Sequence, residues 1–285
     1  MKKGINYWSF ATGTPLAAAI ATAGDAGFQG IEFCMDESGE LSVTCTDREI
    51  AEVRARLDDA GIVTSSVCSW LGWVYPLTSE DPSRRQKGRD ILKKMIDTAS
   101  ALKADAILCV PGYVGCDFQP GSEVVPYDIA VDRAREGIAA VVPHARAAGV
   151  CIAVENVWNK MLVSPLEMRA FIDELGSPFV GAYLDVANCI AYGYPEHWID
   201  ILGARIKRVH FKDYRRDPGG FRGFVELLSG DVDFPKVTAA LARAGYDGFC
   251  TAEIMPTYRT FTDAVIYNTS LSMDYIFGSP RRNQT

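Results

Sequence analysis

The sequence predicts an α/β fold, a single (β/α)8 TIM barrel, on three observations. Short apolar runs rich in valine, isoleucine and cysteine alternate eight times with segments patterned as helices. The chain has 285 residues, the size of one such barrel. The junction of helix stop, turn and strand recurs as "AGFQGIEF", "AGIVTSS", "AGVCIAV" and "AGYDGFCTAE". A doubly wound sheet is the alternative, but no GxGxxG follows the first strand and no GxxxxGKS/T occurs.

The first strand is predicted over 4–10, followed by a helix that Thr14 and Pro15 open and Gly24 closes. Strands at 30–34, 63–69 and 106–112 are followed by helices near 46–60, 82–102 and 127–148. After a fifth strand at 150–156, "SPLEMRAFIDELG" supplies Ser164 as N-cap, Pro165 in the first turn, Glu167 at the capping-box position and Gly176 as the stop. Strands at 181–187, 206–213 and 248–255 alternate with helices at 195–203, 235–244 and 261–277. A polar insertion, "YRRDPGGFRGFVELLSGDVDF", follows the seventh strand. Residues 1–278 thus make one barrel, and 279–285 make a loose tail.

Apolar residues make up 48% of the chain, enough for a large core, and the net charge is −7. That charge argues against nucleic acid as a partner. No apolar stretch is long enough to span a membrane, and "MKKGINYWSF" has no signal-peptide core. Eight cysteines without a CxxC pair, including Cys34, Cys68, Cys109, Cys151 and Cys250 in or beside strands, suit a reduced cytoplasmic protein. Nothing in the sequence opposes a homo-oligomer.

Four residues carry the functional reading. Glu155 in "IAVEN", Asp185 in "AYLDV", His210 in "RVHFKD" and Glu253 in "TAEIM" each close an apolar run, on strands five to eight, at spacings of 30, 25 and 43. One such acid is ordinarily a cap or a solvated group. Four on consecutive strand ends, where a barrel keeps its active site, are a ligand set for a hard or borderline divalent cation. Lys212 shares the face of His210 by strand alternation. Trp70 and Trp73 in "SWLGW" are placed to roof the mouth, and Glu32, in the second strand, to bond a substrate hydroxyl. Asn156 stands beside Glu155 to orient a ligand. His144 and His197 read as structural. Arg215, Arg216 and Arg222 sit in the insertion, a place where barrels often bind phosphate.

The stretches "YLDVANCIAYGYPEHWIDILGARIKRVHFKD" (183–213) and "GDVDFPKVTAALARAGYDGFCTAEI" (230–254) resemble the sugar-phosphate isomerase/epimerase group with a xylose-isomerase-like barrel. That group includes ketose 3-epimerases and hexulose-phosphate isomerase-like proteins, and the resemblance covers essentially the whole chain. It implies that Glu155, Asp185, His210 and Glu253 bind one divalent metal, Mn2+ first, with Mg2+, Co2+ or Zn2+ as alternatives. It implies that Glu155 and Glu253 also serve as acid and base, and that Arg216, six residues after His210, contacts substrate. Two positions depart from the ketose 3-epimerases: Asn188 replaces a substrate-contacting histidine, and Met161 replaces a glutamate.

The chemistry implied is isomerisation or epimerisation of a ketose or ketose phosphate, with the metal stabilising an enediolate. Two glutamates flanking the substrate would remove one proton and return another. Two other classes remain. A metal-dependent lyase, dehydrating an inosose or dehydroshikimate, would begin with the same proton removal. A non-catalytic sugar-binding protein would not need so acidic a mouth.

Overall fold

In a computed structural model, whose described residues are 1–255 and 258–278, eight parallel strands close into a barrel. They are β1 (Lys2–Asn6), β2 (Gly30–Met35), β3 (Val63–Ser69), β4 (Ala106–Cys109), β5 (Cys151–Glu155), β6 (Val180–Asp185), β7 (Ile206–Phe211) and β10 (Phe249–Ala252). Each pairs with its sequence neighbour in the barrel, and β10 closes the ring on β1 through Lys2 opposite Phe249 and Ile5 opposite Ala252. The other two strands, β8 (Asp213–Tyr214) and β9 (Phe224–Val225), form an antiparallel ribbon in the insertion after β7.

The helices cover the outside of the ring: α1 (Leu16–Asp25), α2 (Asp47–Ala60), α4 (Pro82–Ala101), α5 (Tyr127–Ala148), α6 (Pro165–Glu174), α7 (Pro195–Leu202), α8 (Phe234–Arg243) and α9 (Ala264–Ile276). A single extra turn, α3 (Leu71–Val74), follows β3. Local chemistry accounts for most ends. Ser164 caps α6 by accepting from the Glu167 N–H, and Glu167 reciprocates. Thr46 and Glu49 form the same box on α2, which Gly61 stops at φ 66°.

The first unit differs from its sequence reading. Pro15 stands outside α1 as its N-cap, and Gly24 lies inside the helix; the reversal falls at Gly27, φ 83°. The first strand is also shorter than 4–10, because Tyr7–Ser9 wind into a 3-10 turn held by the Asn6 side chain accepting from the Trp8 N–H at 2.6 Å. The fourth strand stops at Cys109, before Pro111, which has no N–H for the ladder, and Gly112 at φ 106°. The proposed tail 279–285 lies outside the described residues. Among the described residues no helix is long and apolar enough to cross a membrane.

The insertion matters because it hangs over the barrel mouth. Asp213, buried at its root, accepts from the N–H groups of Tyr214 (2.8 Å), Gly230 (2.8 Å) and Val232 (3.2 Å). A side chain at residue 230 would run into this carboxylate, so the close approach requires glycine. Burial raises the Asp213 carboxyl above its usual range, with these donors working against the shift. Removing the carboxylate strands several buried donors, so Asp213→Ala is expected to cost about 2–3 kcal/mol in urea unfolding. An unchanged midpoint would show that the insertion is held by other contacts.

Candidate metal centre and substrate pocket

Parallel strands about 4.8 Å apart bring the ends of β5, β6, β7 and β10 to one place. Glu155 and Asp185 are the last residues of β5 and β6, His210 is paired with Asp185 across β6 and β7, and Glu253 follows β10 directly. All four are buried, and one potential ligand atom from each lies within 4.8 Å of the others. His210 Nδ1 is 3.2 Å from Glu155 Oε1, 3.0 Å from Glu253 Oε2 and 3.9 Å from Asp185 Oδ2.

Asp185 is fixed on one side and open on the other. Its Oδ1 accepts from the N–H groups of Ala187 and Asn188, both at 2.9 Å. Its Oδ2 is buried without a hydrogen bond, with Lys212 Nζ 3.0 Å away as an ion pair. A buried carboxylate oxygen without a hydrogen bond, aimed at two more carboxylates and an imidazole nitrogen, fits a divalent cation. Asn156 braces this edge: its amide accepts from the Asp185 N–H at 2.8 Å and donates to the Asp185 carbonyl at 2.9 Å.

The other imidazole nitrogen is tied down. Glu32 Oε1 lies 2.8 Å from His210 Nε2, and the same carboxylate takes hydrogen bonds from Asn6, Ser66 and Tyr183. This pins the ring and turns Nδ1 toward the three acids, the carboxylate–histidine arrangement that orients metal ligands. Glu32, in β2, does not reach the pocket to bond a substrate hydroxyl. It points into the closed barrel beneath the mouth and acts through His210.

Burial opposes ionisation throughout this cluster, and charge pairing answers it. Burial raises Glu155 to about 7, although His210 and Lys212 pull the other way. Burial also works against Glu253 and Glu32, but Lys212 and His210 hold Glu253 low, and His210 holds Glu32 low. Burial lowers His210, yet the surrounding carboxylates, Glu32 first, lift it well above the usual histidine range. Lys212 Nζ lies 2.8 Å from Glu253 and 5.5 Å from the Phe224 ring centre.

Above the acids opens a cavity of about 520 Å³. Glu155, Glu253, Lys212 and Asn188 form its polar lining, and aromatic rings from the loops form most of the rest. Trp70 and Trp73 line it. Trp8, Phe118, Trp158, Phe221 and Phe224 also line it, and the sequence reading does not single them out. The available signal is aromatic density in loops that follow strand ends. Arg216 is not brought to the cavity: its guanidinium sits 5.7 Å from the Tyr194 ring centre and 4.0 Å from Asp231. Asn188 lines the cavity and donates to the Asn156 carbonyl at 3.0 Å, whereas Met161 is buried away from it.

Comparison with known proteins agrees with this architecture. The family model for the xylose isomerase-like TIM barrel matches residues 20–267. The chain is 30% identical over 237 residues to an L-ribulose-5-phosphate 3-epimerase of Salmonella heidelberg, covering 80% of this chain and 78% of that one. An L-ribulose-5-phosphate 3-epimerase of Escherichia coli is 29% identical over 226 residues, covering 78% and 76%. The crystal structure of a D-psicose 3-epimerase in the presence of D-fructose superposes with a TM-score of 0.80 at 19% identity, over 98% of this chain and 100% of that one, which marks a shared fold.

Two outcomes are expected of metal binding. Glu32→Gln, which leaves all four proposed ligands in place, should weaken Mn2+ binding by about 10–100-fold in calorimetric titration; unchanged affinity would deny Glu32 its orienting role. Without a cation, His210 holds a proton that a metal at Nδ1 must displace, and Glu155 holds more of one at lower pH. Mn2+ binding should therefore release protons and weaken as pH falls, with more released near about pH 6 than near about pH 8. Calorimetry in buffers of different ionisation enthalpy reads this directly, and a binding heat independent of buffer would contradict it.

Proposed function

The chain belongs to the xylose isomerase-like TIM-barrel family, and on that footing we propose that it is a divalent-metal-dependent epimerase of a ketose or ketose phosphate. The observation that carries this reading is the pair Glu155 and Glu253. Both line the cavity, from β5 and from the end of β10, on either side of Asp185 and His210. The named activities of the relatives, L-ribulose-5-phosphate 3-epimerases, point to the same reaction class.

In this reading Glu155, Asp185, His210 and Glu253 hold the ion, with Mn2+ the first choice for three carboxylates and one imidazole. The ion, when bound, supplies Lewis-acid stabilisation for the negative charge that grows on the carbonyl oxygen as the neighbouring proton leaves. The two glutamates do the proton chemistry. Glu155 and Glu253 stand on opposite flanks of the site. Glu253 removes the proton from one face of the substrate and passes it to solvent, and Glu155, after taking a proton from solvent, returns one to the other face, which inverts the centre.

The remaining polar groups position the sugar. Lys212 compensates the crowded carboxylates and keeps Glu253 ionised. Asn188 commits its amide N–H to the Asn156 carbonyl, leaving Oδ1 to accept from a hydroxyl. Trp70 and Trp73 shield the reacting carbon from water.

Solvent deuterium incorporation beside the carbonyl, followed by NMR over a panel of ketoses and ketose phosphates with saturating Mn2+, tests the reaction. Glu253→Gln at saturated metal is expected to abolish inversion, with a loss of at least about 100-fold. Full inversion by that variant would reduce Glu253 to a ligand and remove the two-glutamate assignment. Release of water from the substrate in place of simple exchange would redirect the assignment to a dehydratase.

A further inference from the structure

The cavity has an ionic floor and aromatic walls, and the two ask for different parts of one ligand. Among the described residues, Lys212 is the one basic side chain that lines it, and its ammonium is engaged by Glu253 at 2.8 Å and Asp185 at 3.0 Å. The arginines of the insertion are engaged elsewhere or lie outside the lining. Arg215 Nε donates to the Ser229 carbonyl at 2.7 Å, Arg216 lies against Tyr194 and Asp231, and Arg222 is not part of the lining. A phosphate dianion needs charged donors or a fork of N–H groups. Here it would face two carboxylates and no uncommitted cation.

The walls offer stacking surface instead. Rings run in a continuous chain across the mouth from loops of different units. Phe118 stands edge-on to Trp73 at 4.7 Å and to Phe221 at 5.2 Å, Phe221 reaches Trp158 at 5.7 Å, and Trp158 stacks on Phe224 at 5.1 Å. Trp70 and Phe221 remain 45% and 51% exposed at the outer end. A space of about 520 Å³ is on the scale that encloses a drug-sized ligand, beyond what one sugar ring fills. Flat, half-exposed rings suit the C–H face of a second ring.

Building on the epimerase reading, we propose that the substrate is an unphosphorylated keto sugar carrying a second ring, a keto-disaccharide or a related glycoside. Its reacting ring lies at Glu155 and Glu253, and its second ring packs among Trp70, Phe118 and Phe221.

The test is calorimetric binding to the full Mn2+-loaded chain, with four probes: D-fructose, D-fructose 6-phosphate, isomaltulose (a glucosyl unit on O6 of fructose) and lactulose (a galactosyl unit on O4). At least one keto-disaccharide should bind about tenfold or more tighter than fructose, and fructose 6-phosphate no tighter than fructose. Both disaccharides binding no better than fructose, or fructose 6-phosphate binding tightest, would overturn the proposal. Phe221→Ala and Trp70→Ala, both on half-exposed loop positions, should each cut the disaccharide advantage to about threefold or less. An advantage that survives in both variants, with unchanged thermal melting, would overturn the placement of the second ring. Deuterium exchange is read separately. Tight disaccharide binding without exchange would remove the epimerase reaction and leave the pocket assignment standing, whereas exchange confined to fructose and its phosphate would do the reverse.

Discussion

The contact between Glu32 and His210 is the constraint on which the centre depends. Four carboxylates, those of Glu32, Glu155, Asp185 and Glu253, are withdrawn from water at the top of one barrel. Each alone would be costly there. His210 touches three of them through its two nitrogens, and Lys212 forms ion pairs with two from the other side. The imidazole can serve both faces only because Glu32 fixes the ring, and Glu32 can stay buried only because Asn6, Ser66 and Tyr183 satisfy its remaining oxygen positions. β1, β2, β3, β6 and β7 are thereby tied to one imidazole, so its orientation is a property of the whole ring of strands.

The strand ends are legible in the sequence because parallel barrel strands are covered on both faces and leave short continuous apolar runs, and an acid closing such a run is conspicuous. Glu155, Asp185, His210 and Glu253 stand out in that way. Glu32 stands out too, but its role does not, since strand alternation places a side chain inside or outside without telling the level of the barrel at which it lies. Arg216 as a substrate contact is named only through the family resemblance, which cannot foresee that a folded insertion turns the guanidinium toward Tyr194. The aromatic wall is the least legible part. Phe118, Trp158 and Phe221 meet across loops of different units, and such a meeting depends on loop paths that no local pattern encodes. The same holds for Gly24, whose place inside α1 is decided by packing and not by its stop signal.

Floor and walls are built from different material. The floor belongs to strand ends held by the barrel ladder and by paired charges. The walls belong to loop side chains held chiefly by ring contacts and by the three hydrogen bonds that Asp213 accepts at the root of the insertion. In the proposed reaction, proton transfer would draw on the rigidity of the first and discrimination among sugars on the shape of the second.

The closing of β10 on β1 has a consequence for how the protein comes into being. Asn6 and Glu32 lie near one end of the chain, and His210 and Glu253, at the centre, near the other. The ring cannot close until residues 249–252 find residues 2–5, a contact spanning nearly the whole sequence and so among the slowest to form. During synthesis the growing polypeptide thus carries inward-facing acids and hydroxyls before their imidazole exists, and the four-residue cluster is complete only with the last strand. A fragment ending before β10 would lack both the seal of the ring and Glu253.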